Sequence, residues 1–280
     1  MPRQYFLTDL DGTLLRPDAT LSGFTLDVVN QALVRGHVVS FATARSFVSA
    51  KPIVRRIHWT HPVIIYNGAL IVDPQSERIL HGNFLPSDTA EAIVELGRQQ
   101  GMVPLLFCVE SGGTERVWHE AFAGDGQRQF IASRSGDPRF RRREPLRLND
   151  DERVIMLTYI AAKEELQCFR DLLTTAWGGR IHVHFARDTY LRDYYFLELS
   201  HPKANKEDAM KAWAPLVGCS PTDVTVFGDN LNDIGLFRGA GKRLAVANGH
   251  DDLKAIADDV IASNNEDGVA QYISRLMGTE

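Results

Sequence analysis

Cysteine is scarce in this sequence: three residues, Cys108, Cys168 and Cys219, stand far apart along 280 positions. An odd number with no close pair excludes a disulfide framework and a Cys-x-x-Cys metal site, leaving each as a small apolar side chain. Long hydrophobic runs are missing too. The longest nearly apolar stretches, such as Val63–Val72, reach about half a membrane span and are broken by Asn67 and Gly68. No transmembrane helix is expected. The opening Met1-Pro2-Arg3-Gln4 leads into a strand-like segment without the apolar stretch of a signal peptide, which points to a cytoplasmic chain. Positive charge is in deficit: Lys and Arg number 31 against 36 Asp and Glu, a net charge of −5. A general nucleic-acid binder carries the opposite balance, to displace phosphate counterions. Neither a nucleic-acid nor a membrane partner is expected. What is present, 44% hydrophobic and 24% charged residues, is the composition of a folded soluble protein. The length suits one large domain or two ordinary ones, and nothing in the sequence signals an oligomeric state.

The pattern along the chain is strand, helix, strand, helix, strand. Tyr5–Thr8 is β-prone and ends at Asp9-Leu10-Asp11-Gly12-Thr13. Ser22–Arg35 carries apolar residues at helical spacing (Leu26, Val29, Ala32, Leu33), and Gly36 stands where a C-terminal cap glycine belongs. His37–Ala42 leads to Thr43-Ala44-Arg45, and Val63–Tyr66 leads to Asn67-Gly68. The alternation returns late, with strands at Asp223–Phe227, Arg243–Val246 and Asp259–Ile261 and a closing helix at Gly268–Met277. This is the signature of a parallel sheet with covering helices. From about Asn83 the pieces are longer and richer in β-formers: Met102–Val109, Arg116–His119 and Arg153–Ile160, with helices at Asp88–Gln100 and Lys163–Trp177. Asp88 and Glu91 read as a capping box for the first of these helices. The expected organisation is α/β: a Rossmann-like parallel-sheet core from 1–82 and 191–280, with an inserted α/β domain at 83–190.

Ligands in open α/β sheets lie beyond the carboxyl ends of the strands, and there the sequence is acidic. Asp9 and Asp11 follow the first strand at a spacing that would put both carboxylates on one side of extended backbone. Asp229 and Asp233 follow a late strand at a spacing that places both on one face of a helical turn. Two like charges ~4 Å apart cost on the order of 4 kcal/mol at an effective dielectric of 20, so such a cluster calls for a cation. All-oxygen ligands select a hard ion, and Mg²⁺ is the usual one beside phosphate, with Mn²⁺ and Co²⁺ as substitutes. Elsewhere the arginines between Arg139 and Arg147 read as a solvated loop, His182 and His184 as surface residues, and the four tryptophans as core.

These residues carry a resemblance. Asp9-Leu10-Asp11-Gly12-Thr13 is similar to the first motif of the haloacid dehalogenase superfamily, the aspartate-nucleophile phosphohydrolases. Ala42-Thr43-Ala44-Arg45 resembles the second motif, Lys206 stands where the third-motif lysine is expected with Lys203 as its rival, and Gly228-Asp229-Asn230-Leu231-Asn232-Asp233 resembles the fourth. The spacing agrees: Thr43 lies 34 residues after Asp9, Lys206 163 after Thr43, and Asp229 23 after Lys206. Asn67-Gly68-Ala69, Ala247-Asn248-Gly249 and Glu266-Asp267-Gly268-Val269-Ala270 resemble the Cof-type branch, whose large α/β cap is inserted between the second and third motifs. Two positions depart from the family pattern: Ala44 and Glu207 stand where glycine is common.

The resemblance implies a Mg²⁺-dependent phosphatase acting on a small phosphate monoester, a sugar phosphate first and a nucleotide or cofactor phosphate second. It implies Asp9 as nucleophile and Asp11 as general acid and base. The metal would be held by Asp9, the Asp11 carbonyl, Asp229 and, through water, Asp233. Thr43, Ala44, Asn232 and Lys206 would hold the phosphoryl group. Read from the residues themselves, Arg45 is either a substrate contact or half of a salt bridge on the core surface, and Asn67 either lines the site or belongs to a plain strand-ending turn. The inserted domain would select the substrate and close over the site. A phosphomutase using the same nucleophile, or a non-catalytic protein that senses phosphate or Mg²⁺, would carry the same motifs.

Overall fold

The computed structural model describes residues 2–121, 124–187 and 193–278. They form two compact units, Met1–Gly82 with Ala204–Glu280, and Asn83–Lys203. Along the chain, the first unit begins with β1 (Tyr5–Thr8), α1 (Gly23–Val34), β2 (Val38–Phe41), α2 (Phe47–Val54), β3 (Val63–Ile65), β4 (Leu70–Val72) and β5 (Ile79–Gly82). The second unit contains α3 (Ser87–Gln99), β6 (Leu105–Val109), β7 (Glu115–His119), α4 (Asp125–Ala132) and β8 (Phe140–Arg142). It continues with β9 (Arg153–Ala161), α5 (Lys163–Trp177), β10 (His182–Arg187) and β11 (Tyr195–Ser200). The chain then returns to the first unit through α6 (Lys206–Leu216), β12 (Val224–Gly228), α7 (Ile234–Gly239), β13 (Lys242–Val246), α8 (Asp251–Lys254), β14 (Asp259–Ile261) and α9 (Gly268–Met277).

In the first unit five parallel strands run in the order β14-β13-β12-β1-β2. Strands covered on both faces must be apolar throughout, and β1, β2 and β12 are buried over nearly their whole length. One layer packs Trp213, Met210 and Ala209 of α6 onto Leu7, Val38, Val224 and Val226. On α1, Ser22 accepts a hydrogen bond from Thr25 N at 2.9 Å and starts the helix. Gly36 ends it at φ 83°, where a side chain would be strained. The register aligns Thr8 with both Phe41 and Phe227, so β1, β2 and β12 stop at one edge of the sheet. Asp9, Thr43 and Asp229 leave from that edge. Beside β2, Thr43 N donates to Ile64 O at 3.0 Å and joins β3 to the layer.

The second unit is a six-stranded sheet, β10-β11-β9-β6-β7-β8, antiparallel except between β7 and β8. Helices α3 and α5 bury Ile93, Val94, Leu166 and Phe169 against Leu106, Leu157, Tyr159, Leu197 and Leu199. The Rossmann-like core with an inserted α/β unit is therefore the architecture. The boundary expected at 190 falls outside the described residues. The segment after it does not return to the core: β11 pairs with β9 and β10, so the inserted unit runs to Lys203. Asp88 makes no capping box, because the helix already begins at Ser87 and the Asp88 carboxylate accepts from Thr89 N. The arginines of the loop are engaged structurally: Arg139 pairs with Asp137 and Glu115, and Arg143 with Glu152. Among the described residues, no helix is long and apolar enough to cross a membrane.

Candidate active site

The site grows from three loops at the carboxyl edge of the sheet. Asp9 N donates to Phe227 O at 3.0 Å, extending the β1–β12 pairing by one residue. The chain then turns sharply, closed by Leu15 N donating to Leu10 O at 2.8 Å. Gly12 makes this possible. Its φ is 80°, and a side chain there would run into the Asp229 carboxylate. Thr13 Oγ1 donates to Asp229 Oδ1 at 2.8 Å, tying the first loop to the loop after β12.

In that second loop Asp233 is fully buried, and its Oδ2 accepts from Asp229 N at 3.0 Å and Asn230 N at 3.1 Å. Its Oδ1 accepts from Lys206 Nζ at 2.6 Å, and the same ammonium donates to Asp9 Oδ1 at 2.7 Å. Lys206 is the first residue of α6, and Asn205 caps that helix by accepting from Asp208 N at 2.9 Å. The one ammonium faces three carboxylates. Asp9, Asp229 and Asp233 each present an oxygen, all within 4.8 Å of one another.

The protonation equilibria follow from that imbalance. Burial raises Asp9 well above the usual carboxylate range despite Lys206, and Asp233 and Asp229 push the same way. Burial, then the charge of Asp233, lifts Asp229 to about 6 against the hydrogen bond from Thr13. Burial would strip Lys206 of its proton, but Asp233 and Asp9 outweigh it and its pKa is raised. The surplus negative charge is what a cation would neutralise, and three clustered carboxylates are a hard-ion donor set. The residues fit a divalent metal.

Asp11 does not join this cluster. Leu10 leaves the extended conformation that Asp9 keeps, and the Asp11 side chain, 46% exposed against 8% for Asp9, faces Arg45. Arg45 Nε donates to Asp11 Oδ2 at 2.7 Å and Nη2 to Oδ1 at 2.6 Å, a bidentate pair. Extended spacing would have put both carboxylates on one side, but the extension ends at Leu10, between them. Thr43 is fully buried, with Oγ1 accepting from Arg45 N at 3.1 Å, while Ala44 is exposed. Ala44 has no positive φ, so alanine costs nothing there. Glu207 accepts from Lys211 Nζ at 2.7 Å along α6, so its carboxylate is directed to its own helix. Asn67 Oδ1 accepts from Asn232 Nδ2 at 3.1 Å. Lys203, the rival for the third-motif position, is an exposed residue of the other unit.

Asn264 is marked by no sequence motif, and Asn248, Asp267 and Thr13 have partners that their motifs do not reveal. Asn248 Nδ2 donates to Gly12 O at 2.8 Å, and Asn248 Oδ1 accepts from Asn264 N at 2.9 Å. Asn264 Nδ2 in turn donates to Leu15 O at 2.8 Å. Asp267 binds Arg16 at 3.0 Å and Thr25 at 3.2 Å. The late Asn-Gly and Asp-Gly segments thus brace the Asp9 loop at Gly12, Leu15 and Arg16, and Thr13 positions Asp229. Their motifs were visible, but which backbone atom each would reach was not.

Comparison with known proteins identifies the family and the fold. A model of the haloacid dehalogenase-like hydrolases matches residues 6–273. The chain is 27% identical over 267 residues to 5-amino-6-(5-phospho-D-ribitylamino)uracil phosphatase YitU of Bacillus subtilis, covering 95% of this chain and 94% of that protein. It is 22% identical to pyridoxal phosphate phosphatase YbhA of Escherichia coli, covering 98% of each. A haloacid dehalogenase-like hydrolase from Bacteroides thetaiotaomicron shares the fold with a TM-score of 0.77 at 21% identity, over 98% of this chain and 100% of that one. A structure from Thermotoga maritima matches with a TM-score of 0.78 at 23% identity, over 98% and 97%. With the motif residues of both halves of its core gathered at one sheet edge, this chain belongs to the haloacid dehalogenase-like hydrolases, an enzyme family, and is similar in sequence to the two phosphatases just named over nearly their whole length.

Proposed function

We propose that this protein is a Mg²⁺-dependent phosphatase that hydrolyses small organic phosphate monoesters through an aspartyl-phosphate on Asp9. The observation that carries the reading is the buried Lys206, shared between Asp9 and Asp233 beside Asp229. A nucleophilic carboxylate needs a fixed orientation and a local positive charge to accept a phosphoryl dianion, and Lys206 supplies both. Asp9, Asp229 and the main chain of Asp11 would hold the metal, with Asp233 supporting it. When bound, Mg²⁺ would neutralise the crowded carboxylates and the incoming phosphoryl charge.

Asp9 attacks phosphorus, and the bond to the leaving oxygen breaks as Asp11 delivers a proton to it. Asp11 then takes a proton from a water that attacks the aspartyl-phosphate, releasing inorganic phosphate and restoring Asp9. Thr43, the Ala44 amide, Asn232 and Lys206 hold the phosphoryl oxygens. Arg45 exchanges Asp11 for substrate, freeing Asp11 for proton transfer. The choice of leaving group belongs to the inserted unit. Sugar phosphates head the expected substrates. The names of two relatives, a phosphoribityl-compound phosphatase and a pyridoxal phosphate phosphatase, put polyol and cofactor phosphates beside them.

The test is phosphate release across sugar, polyol, nucleotide and pyridoxal phosphates, with Mg²⁺ and with chelator. Metal-dependent release is expected. Silence from folded, Mg²⁺-binding protein would overturn hydrolysis and turn attention to isomer formation from one sugar phosphate.

The metal reading has its own pH signature. Asp229 titrates near 6 in the fold against an ordinary 3.8. The metal-free fold therefore favours the protonated form, and this contribution to its stability is lost as pH rises through about 6. Bound cation reverses the preference. The rise in Tm on adding Mg²⁺ is expected to be several degrees above pH 7 and to shrink steeply below about pH 6. A pH-independent rise across this window would exclude Asp229 as a ligand.

A further inference from the structure

Tyr66 and Asn67 are consecutive non-glycine residues in the left-handed region, at φ 51° and 53°, and Gly68 follows at φ 103°. Such backbone persists only where its surroundings over-determine it. Here each residue of the turn meets a different part of the site. Tyr66 N donates to Arg45 O at 3.0 Å and Asn67 N to Thr43 O at 2.9 Å, so the two bonds straddle Ala44. Gly68 lies so close to the Asn205 carbonyl, at the cap of the helix carrying Lys206, that a side chain there would collide with it. Asn67 Oδ1 accepts from Asn232 Nδ2 at 3.1 Å. One short turn therefore touches the Thr43–Arg45 segment, the start of α6 and the loop after β12.

The geometry points to Asn67 as a positioning residue that acts on phosphate through Asn232, rather than as a contact of the substrate. This rests on the reading of Asn232 as a phosphoryl ligand. An amide nitrogen carries two hydrogens, so one given to Asn67 leaves the other for a phosphoryl oxygen. Without the Asn67 acceptor, the Asn232 amide can rotate and present its carbonyl oxygen, which repels the same phosphoryl oxygen. The strained backbone adds a second effect, since it fixes the Thr43–Arg45 segment before substrate arrives.

The experiment is a double-mutant cycle on the Mg²⁺-loaded protein, reading orthovanadate affinity and kcat/KM for p-nitrophenyl phosphate. Asn67→Gly removes the acceptor while allowing the positive φ of the turn. It is expected to weaken vanadate binding roughly three- to tenfold, the worth of one neutral hydrogen bond. Asn67→Ala also resists positive φ and should cost more. In an Asn232→Ala background, Asn67→Gly is expected to change affinity less than about twofold, because the group it acts through is gone. An equal loss in both backgrounds, or no loss from Asn67→Gly where Asn232→Ala alone weakens vanadate, would overturn the inference. No loss from Asn232→Ala itself would instead overturn the reading of Asn232 on which it stands.

Discussion

Replacing Asp9 with asparagine is expected to lower phosphate release by about four orders of magnitude or more, the scale seen when a covalent nucleophile is removed. The exchange is nearly isosteric, and the amide oxygen can still accept from Lys206 Nζ, now 2.7 Å from Asp9 Oδ1. The loss should therefore appear in kcat with the fold intact. Stability should move the other way. Asp9 is a buried carboxylate whose pKa burial raises well above its ordinary value, so folding of the metal-free protein works against its ionised form. Asp9→Asn removes that charge, and the metal-free variant is expected to melt at or above the wild-type temperature. Turnover within tenfold of wild type, read by phosphate release on the purified variant, would remove Asp9 from the nucleophile's role.

Lys206→Met is expected to be the most damaging single change to the metal-free fold. The side chain is fully buried and donates to Asp9 and Asp233 at 2.7 and 2.6 Å. Methionine matches its volume but leaves two buried carboxylates without a counter-charge. Breaking one side of a buried ion pair costs about 3–5 kcal/mol, and turnover should fall by at least about 10²- to 10³-fold, as when a preorganised charge-stabilising donor is lost. Mg²⁺ should recover part of the stability and little of the rate, since the cation offsets the carboxylates but does not orient Asp9. Lys203→Met is the control. Lys203 is exposed in the other unit, and its loss should stay within about 0.5 kcal/mol, as for surface positions away from special features. Denaturant titration and initial rates on both variants decide the matter, and a rate loss in Lys203→Met equal to that in Lys206→Met would reverse the assignment.

Much of this was legible before any coordinates. Apolar periodicity marked α1, since a covered helix shows its buried face in its spacing, and the helices α5 and α9 were also expected where they stand. The strand-ending motifs marked which edge of the sheet carries the chemistry, whereas the helix that begins at Lys206 and delivers the lysine was not read from the sequence. Local rules failed where a neighbour in space outbid them. The strand β11 was read as core because it follows the insertion, yet its pairing with β9 and β10 holds it in the inserted unit. Asp88 looked like a cap because its own residue type favours one, but the helix begins a residue before it.

By itself, the sequence determined the family, the parallel-sheet core with its insertion, and the acids and lysine available to the site. These are properties of residue type and spacing, which survive without knowing where any loop goes. Only the tertiary structure decided which carboxylates meet. Asp9, Asp229 and Asp233 converge on one ammonium, while Asp11 is turned aside to Arg45 and Asn67 is spent on Asn232. Those outcomes hang on the tight turn at Leu10–Leu14, which Gly12 lets close against Asp229, and on the Tyr66–Gly68 turn. A backbone rotation at such a turn redirects the next side chain by several ångströms, and what holds it there lies far away along the chain.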